Sequence, residues 1–299
     1  MKNIGIFENN GKPEAIKWID YSLGILRSYG SECAVRPELV NLLDKFNRSY
    51  VKSIPHEEFE KFADVVISYG GDGTMLSAAR IMLNSVIPIM GINVGKLGFL
   101  AEFSVNQLDK SLNDLMKGNY RVVDRTVIES DFGEEKIFAL NDFVIEKKDS
   151  SRMITLDGYV NTHYIGSLRA DGLIITTPTG STAYSLSCGG PIITPATEVI
   201  CITPISPHSL TLRPLVIPDS SEVALVVHSP TGDASLVADG QIRKIVKNGD
   251  TVRIRKSDAK VKLIKPLESS YFDLIRAKLL WAVNVVDSEK NPVEGKIFE

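Results

Sequence analysis

The stretch VVISYGGDGTML, Val65 to Leu76, runs an apolar strand straight into three glycines wrapped around one aspartate. Val65, Val66 and Ile67 read as a buried strand and Met75 to Met82 as a helix, so Gly70, Gly71, Asp72 and Gly73 are expected to form a tight strand-to-helix turn. Such a turn suits an anion. A helix N-terminus offers unpaired N–H groups and a partial positive charge, and glycine lets backbone approach a phosphate with no Cβ between them. Asp72 is the odd residue there, since a carboxylate repels phosphates unless it orients a hydroxyl or helps to hold a metal ion. The alternative is that Asp72 only caps the helix, which aspartate does well. The turn alone leaves both readings open.

Outward from this turn, the first third of the chain alternates strand and helix. KNIGIF, ECAV and ADVVISY read as strands, PEAIKWIDYSLGILRSYG as a helix ending at Gly30, and VIPIMGIN as a strand entering a second glycine-rich loop, NVGKLGFL. The pattern predicts a Rossmann-like, doubly wound α/β domain over 1–118, with ligand loops at the carboxyl ends of its strands. From about Asn119 the pattern changes to β-branched, alternating runs broken by Gly, Asn, Asp and Pro. These predict a mostly β domain of layered antiparallel sheets over 119–265. The remainder, 266–299, contains SSYFDLIRAKLLW, whose Phe272, Ile275, Leu279 and Leu280 would make one apolar helix face returning to the first domain.

Composition sets the outer bounds. The 299 residues are 43% hydrophobic and 24% charged, as in an ordinary globular protein with room for two cored domains. No apolar run approaches the roughly 20 residues that span a bilayer, and MKNIGIFENN lacks a signal-peptide core, so a cytoplasmic location and no membrane partner are expected. Cys33, Cys188 and Cys201 are scattered, with no ligand spacing for a metal, and are expected to be buried thiols. A formal charge of −3 and dispersed basic residues argue against a nucleic-acid surface.

The β half carries a second dense block, RADGLIITTPTGSTAYSLSCGGP, Arg169 to Pro191. Thr177, Thr179, Ser181, Thr182, Ser185 and Ser187 would offer hydroxyls on a chain able to bend round a polar ligand, or make a hydroxyl-rich surface loop. A third element, LNDF, sets Asn141 and Asp142 side by side. On a strand they would face opposite ways, so both serve one site only if the chain kinks there.

Together these elements closely resemble the NAD kinases, whose pattern has GGDGT in the first domain, an Asn-acid pair at the start of the second, and a block like DGLIxxTPTGSTAYSLSxGGP. They stand in that order as Gly70–Thr74, Asn141–Asp142 and Asp171–Pro191, followed by VADGQ (Val237 to Gln241) and the helix YFDLIRAKL. The resemblance implies a kinase that moves the γ-phosphoryl of ATP to the 2′-hydroxyl of the adenosine ribose of NAD, with magnesium accompanying ATP, polyphosphate as another possible donor, and a homodimeric or homotetrameric assembly. It implies Asp72 as catalytic base and Gly70, Gly71, Asp72, Gly73 and Thr74 as the loop over the phosphate donor. Around NAD it implies Asp72, Gly73, Asn141, Asp142, Thr182, Ala183, Tyr184, Ser185, Leu186 and Ser187. Arg152, Arg169 and Gln241 match that dinucleotide site less specifically, and Asp171 matches a carboxylate that serves the nicotinamide end across a subunit boundary. No protein ligand to a resident metal is implied. Two positions depart from the pattern: Asp142 stands where Glu is usual, and Ala170 where Ser or Gly is usual. Two other readings stand beside it. A diacylglycerol- or sphingosine-type lipid kinase shares the GGDGT loop but needs an apolar pocket in place of the Thr/Ser block, and a non-catalytic NAD-sensing module has no need of an acid at position 72.

Overall fold

The computed structural model describes residues 1–9, 13–83, 85–95, 97–132, 135–148, 152–229 and 232–281. Lys96 of the NVGKLGFL loop and residues 282–299 of the C-terminal segment lie outside the described residues. Along the first part of the chain run β1 (Asn3–Glu8), α1 (Pro13–Ser28), β2 (Glu32–Val35), α2 (Pro37–Val40), α3 (Lys45–Arg48), β3 (Lys52–Ser53), α4 (Phe59–Phe62), β4 (Val65–Gly70), α5 (Asp72–Ile81), β5 (Ile89–Asn93), β6 (Phe103–Ser104) and α6 (Leu108–Lys117). Then follow β7 (Tyr120–Ser130), β8 (Ile137–Ala139), β9 (Asp142–Lys147), β10 (Ile154–Val160), β11 (His163–Ala170), β12 (Gly172–Thr176), α7 (Tyr184–Ser187), β13 (Val199–Ile205), β14 (Leu215–Pro218), β15 (Val223–His228), β16 (Ala234–Ala238), β17 (Ile242–Val246), β18 (Thr251–Pro266) and α8 (Tyr271–Leu279).

The first part forms the expected α/β layer. Parallel strands run in the order β3, β2, β1, β4, β5, so chain direction around β1 and β4 leaves a crevice at their carboxyl ends. Strands β1, β4 and β5 are buried almost end to end, which is why they read as continuous apolar runs rather than alternating ones. The second part forms two antiparallel layers. One is a six-stranded sheet in the order β14, β13, β12, β9, β16, β17, and the other is the run β11, β10, β15, β18. Their facing side chains, among them Phe143, Ile145, Leu173, Ile175, Leu156 and Leu225, make one core. By the period-2 rule Asp142, Val144 and Glu146 then point to the opposite face of the six-stranded sheet.

Strand β18 departs from the expectation that the chain from Asn119 to Lys265 belongs to the β half alone. Its first residues pair antiparallel with β15, and after an irregularity between Lys256 and Lys260 its Leu263 and Ile264 pair parallel with Ile89 and Met90 of β5. The two sheet systems therefore share one continuous strand, and residues Met1–Leu267 form a single compact unit, with Glu268–Glu299 a second. Among the described residues of that second unit Leu274 and Ile275 are buried and Leu279 is half-buried, whereas Phe272 and Leu280 are exposed, so only Ile275 and Leu279 of the expected apolar face are covered. Of the three cysteines, Cys33 and Cys201 are buried and Cys188 only partly so.

One close approach ties the Thr/Ser block to the Asn-Asp pair. A Cβ on Gly180 would stand 2.2 Å from the Asn141 carbonyl oxygen and 2.5 Å from Thr176 Oγ1, and a backbone atom cannot swing aside. Gly180→Ala is expected to destabilise the fold by about 1–3 kcal/mol, measured as a lower melting temperature. Gly73→Ala, inside the first turn of α5 and with no side chain or remote backbone within 4 Å of the new Cβ, should not lower the melting temperature.

Candidate active site

The glycine-rich turn is shorter than the sequence suggests. Helix α5 starts at Asp72, with Gly71 as its N-cap, so Asp72, Gly73 and Thr74 already form its first turn. Gly70 is needed for packing, because a Cβ there would stand 2.2 Å from Thr74 Oγ1. Gly71 and Gly73 are not: neither has a positive φ and neither has a protein atom within 4 Å of a Cβ. Gly71, though not Gly73, lines a cleft of about 380 Å³ together with Asn9, Glu14, Gly70, Thr74, Asn93 and Gly95, at the carboxyl ends of β1, β4 and β5. At the start of α5 the Thr74 N–H donates back to the Gly71 carbonyl at 3.1 Å, so the amides that this helix N-terminus could offer an anion are those of Asp72 and Gly73.

Asp72 does not cap its own helix, so the capping alternative falls. Its carboxylate accepts hydrogen bonds from the loop after β5: Phe99 N–H to Oδ2 at 2.8 Å, and Leu100 and Ala101 N–H to Oδ1 at 2.9 and 3.2 Å. A Cβ on Gly98 would lie 2.0 Å from Oδ1, so glycine lets the loop close on the carboxylate. A carboxylate has about four acceptor positions, and three are occupied here. One on Oδ2 is left for a hydroxyl.

Asn141 and Asp142 are brought onto one side because the chain bends at Leu140–Asn141 before β9 begins. The bend is held by Asp239 in the turn between β16 and β17. Asp239 and Gly240 both take positive φ, 51° and 67°, as a two-residue Asp-Gly hairpin turn requires. That turn aims the Asp239 carboxylate at three amides, those of Leu140, Asn141 and Asp142, at 3.0, 2.7 and 3.2 Å. Arg80 of α5 forms an ion pair with the same carboxylate at 3.6 Å and donates to Gln241 Oε1 at 2.9 Å, while Gln241 Nε2 donates to the Gly73 carbonyl at 3.1 Å.

Antiparallel pairing of β9 with β12 sets Asp142 opposite Thr176, so the Thr/Ser block starts beside the bend. Much of that block turns inward, unlike the expected ring of ligand-facing hydroxyls. Thr176 Oγ1 donates to the Asn141 carbonyl and Thr177 Oγ1 to the Leu140 carbonyl, Ser181 Oγ bridges Pro178 and Ile193, and Ser185 Oγ bonds Thr203 Oγ1 at 2.8 Å. Thr182, Ala183 and Leu186 are half-buried, and Tyr184 and Ser187 are exposed.

A second cleft, of about 350 Å³, opens where these parts meet. It is lined by Asn141, Asp142, Glu146, Ala183, Tyr184, Asp239, Gly240 and Arg243. Asp142 is 4% exposed. Burial, and then the charge of Asp239, push its carboxyl up to about 7. Asp239 is raised too, by burial, against the pull of its three amides and Arg80. The Tyr184 phenol is raised by partial burial, then by the Cys188 thiol and the carboxylates of Glu146, Asp171 and Asp142. Asp171 forms an ion pair with Lys147 of its own chain at 2.6 Å. Arg152 and Arg169 are exposed, the latter on β11 with its side chain on the face away from buried Leu168 and Ala170. Neither lines the two clefts.

Asp239, Arg80, Glu146, Arg243 and the amides of 99–101 were not found from sequence as site residues. The Asp-Gly turn of VADGQ and the second glycine-rich loop, NVGKLGFL, are the visible signals that bear on them.

The comparisons with known proteins agree with this architecture. The model for the ATP-NAD kinase N-terminal domain matches residues 4–120, and that for the ATP-NAD kinase C-terminal domain matches residues 140–266. The chain is 38% identical over 287 residues to the NAD kinase of Syntrophotalea carbinolica, covering 94% of this chain and 99% of that relative. It is 42% identical over 239 residues to the NAD kinase of Flavobacterium psychrophilum, covering 78% and 81%. Among solved structures it is similar to yeast NADH kinase complexed with NADH, with a TM-score of 0.83 and 25% identity over 99% of this chain and 90% of that one. It is also similar to an NAD kinase from Archaeoglobus fulgidus in complex with ATP, with a TM-score of 0.74 and 26% identity over 94% and 99%. Matched by family models in both halves, and aligned along nearly its whole length with a relative 38% identical, the chain belongs to the ATP-NAD kinase family.

Proposed function

We propose that this chain is an NAD kinase that moves the γ-phosphoryl of ATP to the 2′-hydroxyl of the adenosine ribose of NAD, making NADP. The observation that carries this reading is the position of Asp72: Gly71 and Thr74 beside it line one cleft, while Gly73 is tied through Gln241 to the turn that lines the other. A donor at the glycine turn and a ribose near Asn141 and Asp142 would meet at this carboxylate. An aspartate is too weak a base to deprotonate an alcohol in the ground state, but in a loose transition state it needs only to orient the oxygen in line and accept a proton late. The free acceptor position on Oδ2 suits that task. Gly71 and Gly73, which the fold itself does not require, support close approach of phosphate to backbone N–H groups.

Magnesium fits as a companion of the triphosphate. Among the described residues no group of three or more His, Cys, Asp or Glu stands close enough to hold a metal ion. The donor set therefore suits a cation held by phosphate oxygens and water, which when bound would neutralise charge on the β- and γ-phosphates. ATP is the proposed donor, with polyphosphate as the variant to assay beside it. The polar lining of the second cleft does not suit a lipid acceptor, and a sensing module has no use for Asp72. Free thiols at Cys33, Cys188 and Cys201 fit a cytosolic setting. We keep 1–118, 119–265 and 266–299 as working functional segments. The first assay is incubation with ATP, magnesium and NAD, followed by an NADP-specific dehydrogenase; absence of NADP would refute the reading.

Asp72→Asn puts an NH2 donor among three N–H donors, so it should lower the melting temperature as well as kcat. On protein still folded at the assay temperature, kcat is expected to fall on the order of 10²-fold or more, and near-normal turnover would remove Asp72 from the mechanism.

Ionised Asp142 can accept from the neighbouring 3′-hydroxyl, leaving the single 2′-hydroxyl proton to Asp72, whereas its protonated form loses an acceptor position. With its carboxyl at about 7, KM for NAD should fall as pH rises from 6 toward 8 and level off above, and Asp142→Asn should flatten that profile. A KM independent of pH in the unmutated protein contradicts a role for this ionisation.

Asp171 is proposed to serve the nicotinamide end of a neighbouring subunit's NAD in a homodimer or homotetramer. Asp171→Asn and Asp72→Asn chains, each weakly active alone, should regain activity when co-assembled, because a mixed site then holds both carboxylates. If mixed oligomers form and stay inactive, Asp171 acts within its own chain or not at all.

A further inference from the structure

Behind Asp72 lies a buried ion pair that the reaction as described does not use. Lys265, near the end of β18, is 1% exposed, and its Nζ stands 2.5 Å from Glu102 Oε1. Its second contact is the carbonyl oxygen of Leu100, at 3.1 Å. That carbonyl belongs to the same peptide unit as the N–H of Ala101, which donates to Asp72 Oδ1. A trans peptide points its C=O and N–H in opposite directions. Lys265 therefore grips one end of a peptide whose other end holds the carboxylate. The line of groups runs from the Glu102 carboxylate through the Lys265 ammonium and the Leu100–Ala101 peptide to the Asp72 carboxylate.

We propose that Lys265, neutralised by Glu102, is a positioning residue that fixes the 99–101 amides and through them the direction of the free acceptor position of Asp72. Stability alone is a poor reason for this pair. Taking two charges out of water costs several kcal/mol per ion, and well-packed apolar side chains of similar volume are often as stable or more so. Burial pushes the Lys265 ammonium down, opposed by Glu102, so the pair carries the electrostatic cost that an apolar replacement would avoid. Position and polarisation are what it supplies. A cation on a carbonyl oxygen draws electron density from the adjoining N–H and strengthens it as a donor. Lysine has three donors and no acceptor, so it can hold Glu102 and Leu100 at once. The carbon stem of β18 reaches this point because the strand enters the first sheet next to β5, immediately beneath the loop that leaves β5.

The inference rests on Asp72 being the residue that orients the acceptor hydroxyl, and its test separates the two. The double variant Lys265→Met/Glu102→Gln removes both charges together and avoids stranding either one. In the ligand-free protein, amide hydrogen exchange of the segment containing Phe99 to Ala101 is expected to quicken at least tenfold while the β9 and β12 strands keep their protection. In the kinase assay, kcat should fall about 10- to 100-fold, with KM for NAD and ATP changed less than about threefold. Unchanged exchange at 99–101, or unchanged kcat, overturns the proposal, as does a loss confined to KM. Lys265→Gln, which keeps a neutral donor for the Leu100 carbonyl, gives the same comparison if the double variant does not fold: faster exchange with lower kcat supports the link, and wild-type values of either overturn it. A chain that shows the exchange effect but never makes NADP would refute the kinase reading and leave the structural link standing.

Discussion

The Asp239 carboxylate is the constraint on which the rest of the site depends. It sits in a left-handed hairpin turn of the six-stranded sheet, accepts from the three amides of the Leu140–Asp142 bend, and pairs with Arg80 on the helix that begins at Asp72. A single buried anion thus connects β16, the start of β9 and α5. Those three elements carry the hairpin turn, the Asn-Asp pair and the glycine turn respectively. Amides lost from such a carboxylate would be left buried without acceptors, at about 1–3 kcal/mol each, so the bend has little freedom to relax. Asn141 and Asp142 are held at one cleft for that reason.

The charge arrangement follows from this hub. The second cleft collects Asp142, Asp239 and Glu146 against Arg243 and Arg80, and its buried members cannot all ionise cheaply. Asp142 carries the consequence, with its carboxyl near neutrality, because Asp239 is the better solvated of the two by amides and a guanidinium. This cleft suits hydroxyls and amide edges. The first cleft has glycines and a single carboxylate, Glu14, where the second has three carboxylates. Asp72 opens the helix whose Thr74 lines the first cleft and whose Gly73 is tied through Gln241 to the turn that lines the second, and its charge is already held by three loop amides.

Several parts of this were legible in the chain. The buried parallel strands appear as unbroken apolar runs, and the glycine turn as a break between β4 and α5, because both are local consequences of side-chain burial and backbone freedom. The block from Asp171 to Pro191 was legible as important and misread in detail. Its hydroxyls were expected to face a ligand, yet those of Thr176, Thr177, Ser181 and Ser185 satisfy backbone carbonyls and one another inside the fold. A hydroxyl in sequence carries no mark of which way it will donate. The tail helix shows the same limit: Phe272 and Leu280 look like core and are exposed, while Leu274 and Ile275 are buried, because the phase of a nine-residue helix is set by what it meets.

By itself the sequence determined the α/β-then-β order of elements, the glycine-rich strand-to-helix turn at Gly70–Thr74, and the identity of Asn141, Asp142 and Tyr184 as residues worth following. Local preferences of backbone and burial decide those features within a few residues. Only the tertiary structure decided that β18 runs through both sheet systems, that Lys265 lies behind the loop from Phe99 to Ala101, and that Asp239 holds a bend about a hundred residues earlier in the chain. Each of these joins groups far apart in sequence through hydrogen bonds or ion pairs made in a buried, poorly solvated setting. Such contacts leave no periodicity behind, since their strength comes from the surroundings that folding creates.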